Sequence, residues 1–156
     1  MAKISVLGYS FTAPNLVKGG TEMKTENIIS LFKEKNFRAT PQRIAVYDYV
    51  YENRNHPDVL AVYENVKKKY PAFSKTTVYN ALKALEKNGF IIPVTIDDER
   101  VRYDAHTELH GHFFCNVCKK IYDFETDQPK ITGLDGFLVN SKNVYYSGVC
   151  PCCKDK

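Results

Sequence analysis

Apolar residues recur with helical spacing from residue 23 to residue 89, then switch to short strand-like runs. Ile28, Leu31 and Phe32 stand at i, i+3 and i+4, on one face of a helix that Met23 opens and Asn36 and Phe37 close. Thr40 followed by Pro41 reads as an N-cap with proline at the first helical position, where its missing N–H costs nothing. This second helix runs to about Asn53, with Val46, Tyr49 and Val50 inward. The pair His56 and Pro57 breaks the chain, and Asp58 caps a third helix with the stripe Val59, Val62, Tyr63, Val66 and Tyr70. Pro71 stops it, and Ser74 caps a fourth helix whose stripe is Val78, Ala81, Leu82 and Leu85. Asn88 and Gly89 end that helix in a left-handed turn.

Residues 91–96, a turn at Asp97, Asp98 and Glu99, and residues 101–103 then predict a β-hairpin. Helices followed by a hairpin describe a winged helix-turn-helix, with the fourth helix entering a DNA major groove. Beyond residue 105 the strand-like segments are 113–115, 120–124 and 144–149, with one weak helical stretch at about 128–133. The expected fold class is α+β. Residues 1–22 read as an N-terminal extension, 23–105 as the winged-helix DNA-binding domain and 106–156 as a second, small α+β domain.

Charge supports that division. Residues 1–105 hold 16 Lys+Arg against 12 Asp+Glu, whereas residues 106–156 hold 6 of each, so all of the net +4 lies in the first part. No run of apolar residues is long enough to span a membrane, and the short apolar run from Ile4 to Leu7 lacks the length and cleavage site of a secretion signal. Four of the five cysteines form two C-x-x-C pairs, which points to metal in a reducing cytoplasm rather than a secreted disulfide scaffold.

Cys115 and Cys118, with Cys150 and Cys153, can supply four thiolates at tetrahedral geometry, the donor set of a closed structural Zn²⁺ site. A redox pair or a rubredoxin-like iron site uses the same spacing. Cys152 is left over, as a bystander or as a reactive thiol of a zinc-containing oxidoreductase. The histidines are His56, His106, His110 and His112. Period two puts His110 and His112 on one face of an extended segment; Asp104 lies just upstream, and Asp123 lies on a strand expected to pair beside His112. With His56 these make an N₃O₂ donor set suited to Fe²⁺, Mn²⁺, Co²⁺, Ni²⁺ or Zn²⁺. Spacing alone also allows His56 to be a helix-start residue before proline, and the aspartates to be solvated charges.

The segments RATPQR (38–43), SKTTVYN (74–80) with Leu82, HGHFFCNVC (110–118), IYDF (121–124) and GVC (148–150), together with the break at His56 and Pro57, resemble the ferric uptake regulator family over about residues 24–154. The resemblance implies a metal-dependent transcriptional repressor, not an enzyme. It implies a homodimer on double-stranded operator DNA, with the second domain mediating dimerisation. It also implies structural zinc on Cys115, Cys118, Cys150 and Cys153, and regulatory Fe²⁺ or Mn²⁺ on His56, Asp104, His110, His112 and Asp123. Aspartate at 123 resembles the peroxide-sensing branch, in which His56 and His110 would be the oxidation targets. An iron- or manganese-availability repressor is the alternative. Lys75, Thr76, Thr77, Tyr79 and Asn80 are the expected base- and groove-facing residues, and Arg38 and Arg43 the expected phosphate contacts. Leu109 stands where many iron-uptake members have a further clustered histidine, which also resembles the peroxide-sensing branch. One departure stands out, residues 125–149, which are shorter than is typical and interrupted by Pro129, Gly133 and Gly136.

Overall fold

The structure, a computed structural model, describes residues 23–97, 99–127 and 132–154. The expected extension over 1–22, the turn residue Asp98 and most of the weak helical stretch at 128–133 lie outside the described residues. Four helices come first: α1 (Thr25–Glu34), α2 (Pro41–Glu52), α3 (Val59–Lys69) and α4 (Lys75–Lys87). Antiparallel strands β1 (Ile92–Val94) and β2 (Arg102–Asp104) form the hairpin. A second sheet has the order β4-β3-β5, from β3 (Gly111–Cys115), β4 (Ile121–Phe124) and β5 (Val144–Gly148), with β4 antiparallel and β5 parallel to β3. A 3₁₀ turn, Pro151–Cys153, ends the described chain. The architecture is the expected α+β winged helix-turn-helix followed by a small sheet.

Each helix from α2 onward begins as its sequence dictates. The side chains of Thr40, Asp58 and Ser74 accept the backbone N–H of Arg43, Ala61 and Thr77, the third residue along in each case. Two helix ends shape the core. Asn36 and Gly89 take left-handed backbone (φ 52 and 66), and the next residue's N–H returns to the helix, Phe37 to the Phe32 carbonyl and Phe90 to that of Leu85. Both turns throw an aromatic ring inward. Phe32, Phe37 and Phe90 meet with centroids 4.7 to 5.1 Å apart. The core of the helical part is completed by Ile28, Val46, Val50, Val62, Val78, Leu82 and Leu85. Tyr49, expected inward, is half-buried at its edge.

The first hairpin strand is shorter than expected and the second is shifted by one residue, so that Val101 is exposed and Asp104 is part of β2. Pairing explains the shift: Asp104 sits opposite Ile92, and the Tyr103 N–H donates to the Pro57 carbonyl. The hairpin is thereby tied to the loop between α2 and α3. The described residues 132–143 form neither helix nor strand and expose Phe137 and Leu138.

Asp58 also reaches the hairpin, through an ion pair with Arg100 at 2.8 Å. Burial opposes the charge on Asp58, but the Ala61 N–H and the Arg100 guanidinium outweigh it and hold the carboxyl below its usual range. We expect Asp58→Ala to destabilise the protein by about 1 kcal/mol at neutral pH, the usual worth of an N-cap, read as a lower urea midpoint. A depressed folded-state pKa contributes stability that is complete above the unfolded value and is lost on acidification. The gap between variant and wild type should therefore narrow below about pH 4.

Candidate metal centres

Two clusters gather metal-ligating side chains. The first is built by a knuckle at the end of β3 and by the chain end. Lys119 adopts left-handed backbone (φ 60), which folds the chain back so that its N–H meets the Cys115 carbonyl. The sulfurs of Cys115, Cys118, Cys150 and Cys153 lie within 4.8 Å of one another. The backbone N–H groups of Cys118 and Cys150 donate to the Cys115 sulfur and bring its pKa down to about 6, a bond set that favours thiolate. Burial and the neighbouring sulfurs push Cys153 the other way, up to about 12. Four thiolates cannot share this space without a cation, and a tetrahedral divalent ion fits the donor set. Cys152 is exposed and outside the cluster.

The second cluster joins four parts of the chain. His56, in the α2–α3 loop, has φ 53, an unusual conformation for a non-glycine residue, and its imidazole turns inward to 2% exposure. Asp104 comes from β2, His112 from β3 with His110 just before it, and Asp123 from β4, directly across from His112. One ligand atom from each of the five lies within 4.8 Å of all the others. The His110 Nδ1–H donates to the Glu108 carbonyl at 2.8 Å, which leaves Nε2 as a lone pair facing the cluster. That Nε2 is 3.0 Å from the Nε2 of His112 and 2.9 Å from an oxygen of Asp104.

Electrostatics here is poised for a cation. Burial opposes charge on Asp104, yet His110, His112 and His56 around it, with the His106 backbone N–H, hold its carboxyl far below the usual range. Burial likewise opposes a charge on His56, but Asp104 and Asp123 outweigh it and raise its pKa to about 9. His56 Nε2 lies 2.9 Å from Asp123 Oδ1, but the ring is aligned with no acceptor as a hydrogen bond. A buried nitrogen close to, but not bonded to, a carboxylate is what remains when an imidazole is aimed at an ion rather than at an acceptor. The five residues fit an N₃O₂ metal site.

His106, the fourth histidine, lies outside the donor set and stacks on His110 with centroids 4.2 Å apart. Arg102 is a site residue that the sequence reading missed. It binds Asp97 through two nitrogens and also reaches the carbonyls of His56 and Lys119. It thus braces the His56 loop and the cysteine knuckle together. The signal for it was present: period two in β2 puts Arg102 on the same face as Asp104.

The recognition-helix candidates divide. Lys75, Thr76, Tyr79 and Asn80 are exposed on α4, whereas the Thr77 hydroxyl is engaged with Ser74 at 2.8 Å. Arg38 is exposed, but Arg43 stacks over Phe37 and donates to the Arg38 carbonyl, so it also braces the α1–α2 connection.

Comparison with known proteins gives a consistent picture. The model of the ferric uptake regulator family matches residues 34–146. The chain is 30% identical over 142 residues to the peroxide-responsive repressor PerR of Staphylococcus aureus, spanning 86% of this chain and 95% of that protein. Among solved structures, the Helicobacter pylori ferric uptake regulator Fur shares the fold with a TM-score of 0.66 at 22% identity, over 86% of this chain and 97% of that one. A zinc-bound manganese uptake regulator matches with a TM-score of 0.60 at 27% identity, over 79% of this chain and 98% of that one.

The cysteine geometry makes a clear expectation. Cys115→Ser and Cys150→Ser should lose the tightly held metal and much of their resistance to heat, whereas Cys152→Ser should retain both. Elemental analysis of the purified proteins checks this. Metal loss in Cys152→Ser would move that residue into the site.

Proposed function

The chain belongs to the ferric uptake regulator family of metal-responsive transcriptional regulators, and on that premise we propose that it is a DNA-binding repressor that responds to peroxide. In this reading residues 23–105 form the DNA-binding domain and residues 106–156 the dimerisation domain of a homodimer, for which the exposed Phe137, Leu138 and Val139 supply apolar surface. Zn²⁺ on Cys115, Cys118, Cys150 and Cys153 has a structural role, and Fe²⁺ or Mn²⁺ on His56, Asp104, His110, His112 and Asp123 a regulatory one.

The observation that carries the reading is where the five ligands come from. His56 and Asp104 belong to the helical part and its hairpin, and His110, His112 and Asp123 to the three-stranded sheet or its edge. When all five side chains share one ion, α4 is held in a fixed place relative to the sheet, and so relative to its counterpart in a dimer. The equilibrium then favours the conformer whose two recognition helices match two half-sites, to the extent that the ligands prefer that conformer. Lys75, Thr76, Tyr79 and Asn80 face the groove, with Thr77 at the helix start. Arg38 and Arg43 lie toward the phosphates.

Ferrous iron held by these five residues would supply the chemistry that splits the O–O bond of hydrogen peroxide. The imidazoles of His56 and His110 would be the adjacent oxidisable groups. One ring would gain one peroxide oxygen while the other oxygen leaves as water, a two-electron oxidation of the imidazole. The altered ring would cease to be a ligand and free the helical part from the sheet. Identity to the Staphylococcus aureus repressor and the aspartate at 123 support the peroxide reading. The likeness to a manganese uptake regulator favours a second reading, repression by metal availability without histidine oxidation.

Two measurements follow. A duplex selected from a random library with Mn²⁺ present should be bound by both the Mn²⁺ and the anaerobic Fe²⁺ protein. Peroxide should release it only from the Fe²⁺ form, with one added oxygen on His56 or His110 by mass spectrometry, and His56→Ala or Asp123→Ala should lose the response while keeping zinc. Release without histidine modification, or no release, would transfer the assignment to metal availability. On the same duplex Arg38→Ala should lower the log–log salt slope by about 1, the signature of one lost phosphate contact.

A further inference from the structure

Tyr145 lies on β5, which runs parallel to β3, and it stands directly across from His112 in the register. Its ring meets the His112 imidazole edge-on, with centroids 5.8 Å apart. Its phenolic oxygen accepts the backbone N–H of Thr95 at 3.2 Å, and Thr95 immediately follows β1 of the hairpin. The same ring packs against the small cluster of Val94, Phe114 and Ile121, in which Val94 belongs to the hairpin and the other two to the sheet. One side chain therefore touches a candidate metal ligand on the sheet and the backbone of the hairpin that carries Asp104.

We infer that Tyr145 is a positioning residue that sets the distance between the two halves of the regulatory metal site. The inference rests on the reading of His56, Asp104, His110, His112 and Asp123 as that site. Three ligands ride on or beside the sheet, one rides on the hairpin, and His56 is tied to the hairpin through Pro57 and Arg102. For all five to share an ion, hairpin and sheet must stand at one separation. The Val94 cluster supplies non-directional adhesion that tolerates sliding. The Tyr145 hydroxyl supplies a directional bond that does not. The ring edge against His112 limits rotation of that imidazole. Tyr145 thus narrows the metal-free ensemble toward the ligand geometry and so reduces the ordering that metal binding has to accomplish.

The test uses the zinc-loaded full chain with Co²⁺ as the probe. Co²⁺ is titrated into wild type, Tyr145→Phe, Tyr145→Leu and Asp123→Ala while the visible ligand-field spectrum is recorded, and hydrogen exchange at the Thr95 amide is followed without Co²⁺. Tyr145→Phe removes only the hydroxyl. It should speed Thr95 exchange and weaken Co²⁺ binding about three-fold, the worth of one exposed hydrogen bond, with band positions kept. Tyr145→Leu also removes the ring edge. It should weaken binding about ten-fold and shift the bands, because His112 is free to turn. A merely structural role would lower the melting temperature of both variants and leave Co²⁺ affinity and spectrum at wild-type values, which overturns the inference. Unchanged Thr95 exchange in Tyr145→Phe overturns it as well. Failure of the underlying site reading looks different: Asp123→Ala would then bind Co²⁺ with the wild-type spectrum.

Discussion

Asp104 is 5% exposed, yet it is an acid, and three imidazoles face it. Burying such a group is expensive unless opposite charge and hydrogen bonds surround it on all sides. Much of the local structure is arranged around that requirement. The His106 N–H takes one oxygen of the carboxylate, and His110, His112 and His56 crowd the other. In exchange His56 holds a left-handed backbone, and the chain beside it is pinned by the Pro57–Tyr103 hydrogen bond and by Arg102. A divalent cation satisfies the same groups better than protons do, because it neutralises both carboxylates and accepts all three imidazole lone pairs at once.

The second constraint is the size of the sheet. Strands β4, β3 and β5 have a thin apolar contribution of their own, and Phe114 and Ile121 are buried largely against Val94 of the hairpin. A unit this small gains from a covalent or metal staple. In the proposed reading the cysteine cluster, with its ion, is that staple. It ties the last described residues to the end of β3 at the place where the Lys119 turn is also gripped by Arg102. Both clusters are thereby connected through one guanidinium. Gly111, between the two ligand positions of the strand, leaves room for the Phe124 ring where any Cβ would collide with it, so the outer face of the ligand strand is closed by an aromatic ring.

Membership of the family and the kind of signal rest on different physical grounds. Fold and family follow from the whole chain. The choice of signal depends on which ion sits among five side chains and on what happens to an imidazole beside it, and affinity order alone does not select iron over manganese. The divided origin of the five candidate ligands matters under either proposed reading, since it would convert occupancy into a fixed arrangement of the recognition helix and the sheet. Among the described residues no helix is long and apolar enough to cross a membrane.

Much was legible in the residues by themselves, and for a local reason. The caps at Thr40, Asp58 and Ser74 act over three residues, the core stripes repeat with the helix, and the turns at Asn36 and Gly89 need only their own backbone freedom. The cysteine pairs and the His110–His112 alternation were readable because metal geometry and strand period are short-range rules. The second hairpin strand lies one residue later than expected because a partner strand, not propensity, decides which residues pair. His56 had two meanings until its backbone conformation and the packing of the α2–α3 loop against β2 were known. Period two set Arg102 on the face of Asp104, but nothing local tied it to the His56 and Lys119 carbonyls, or Tyr145 to Thr95. Sequence determined the helices and the donor types on offer, because those depend on neighbours along the chain. The tertiary structure decided which ligands meet and what braces them, because contacts between distant segments exist only once helices, hairpin and sheet have packed together.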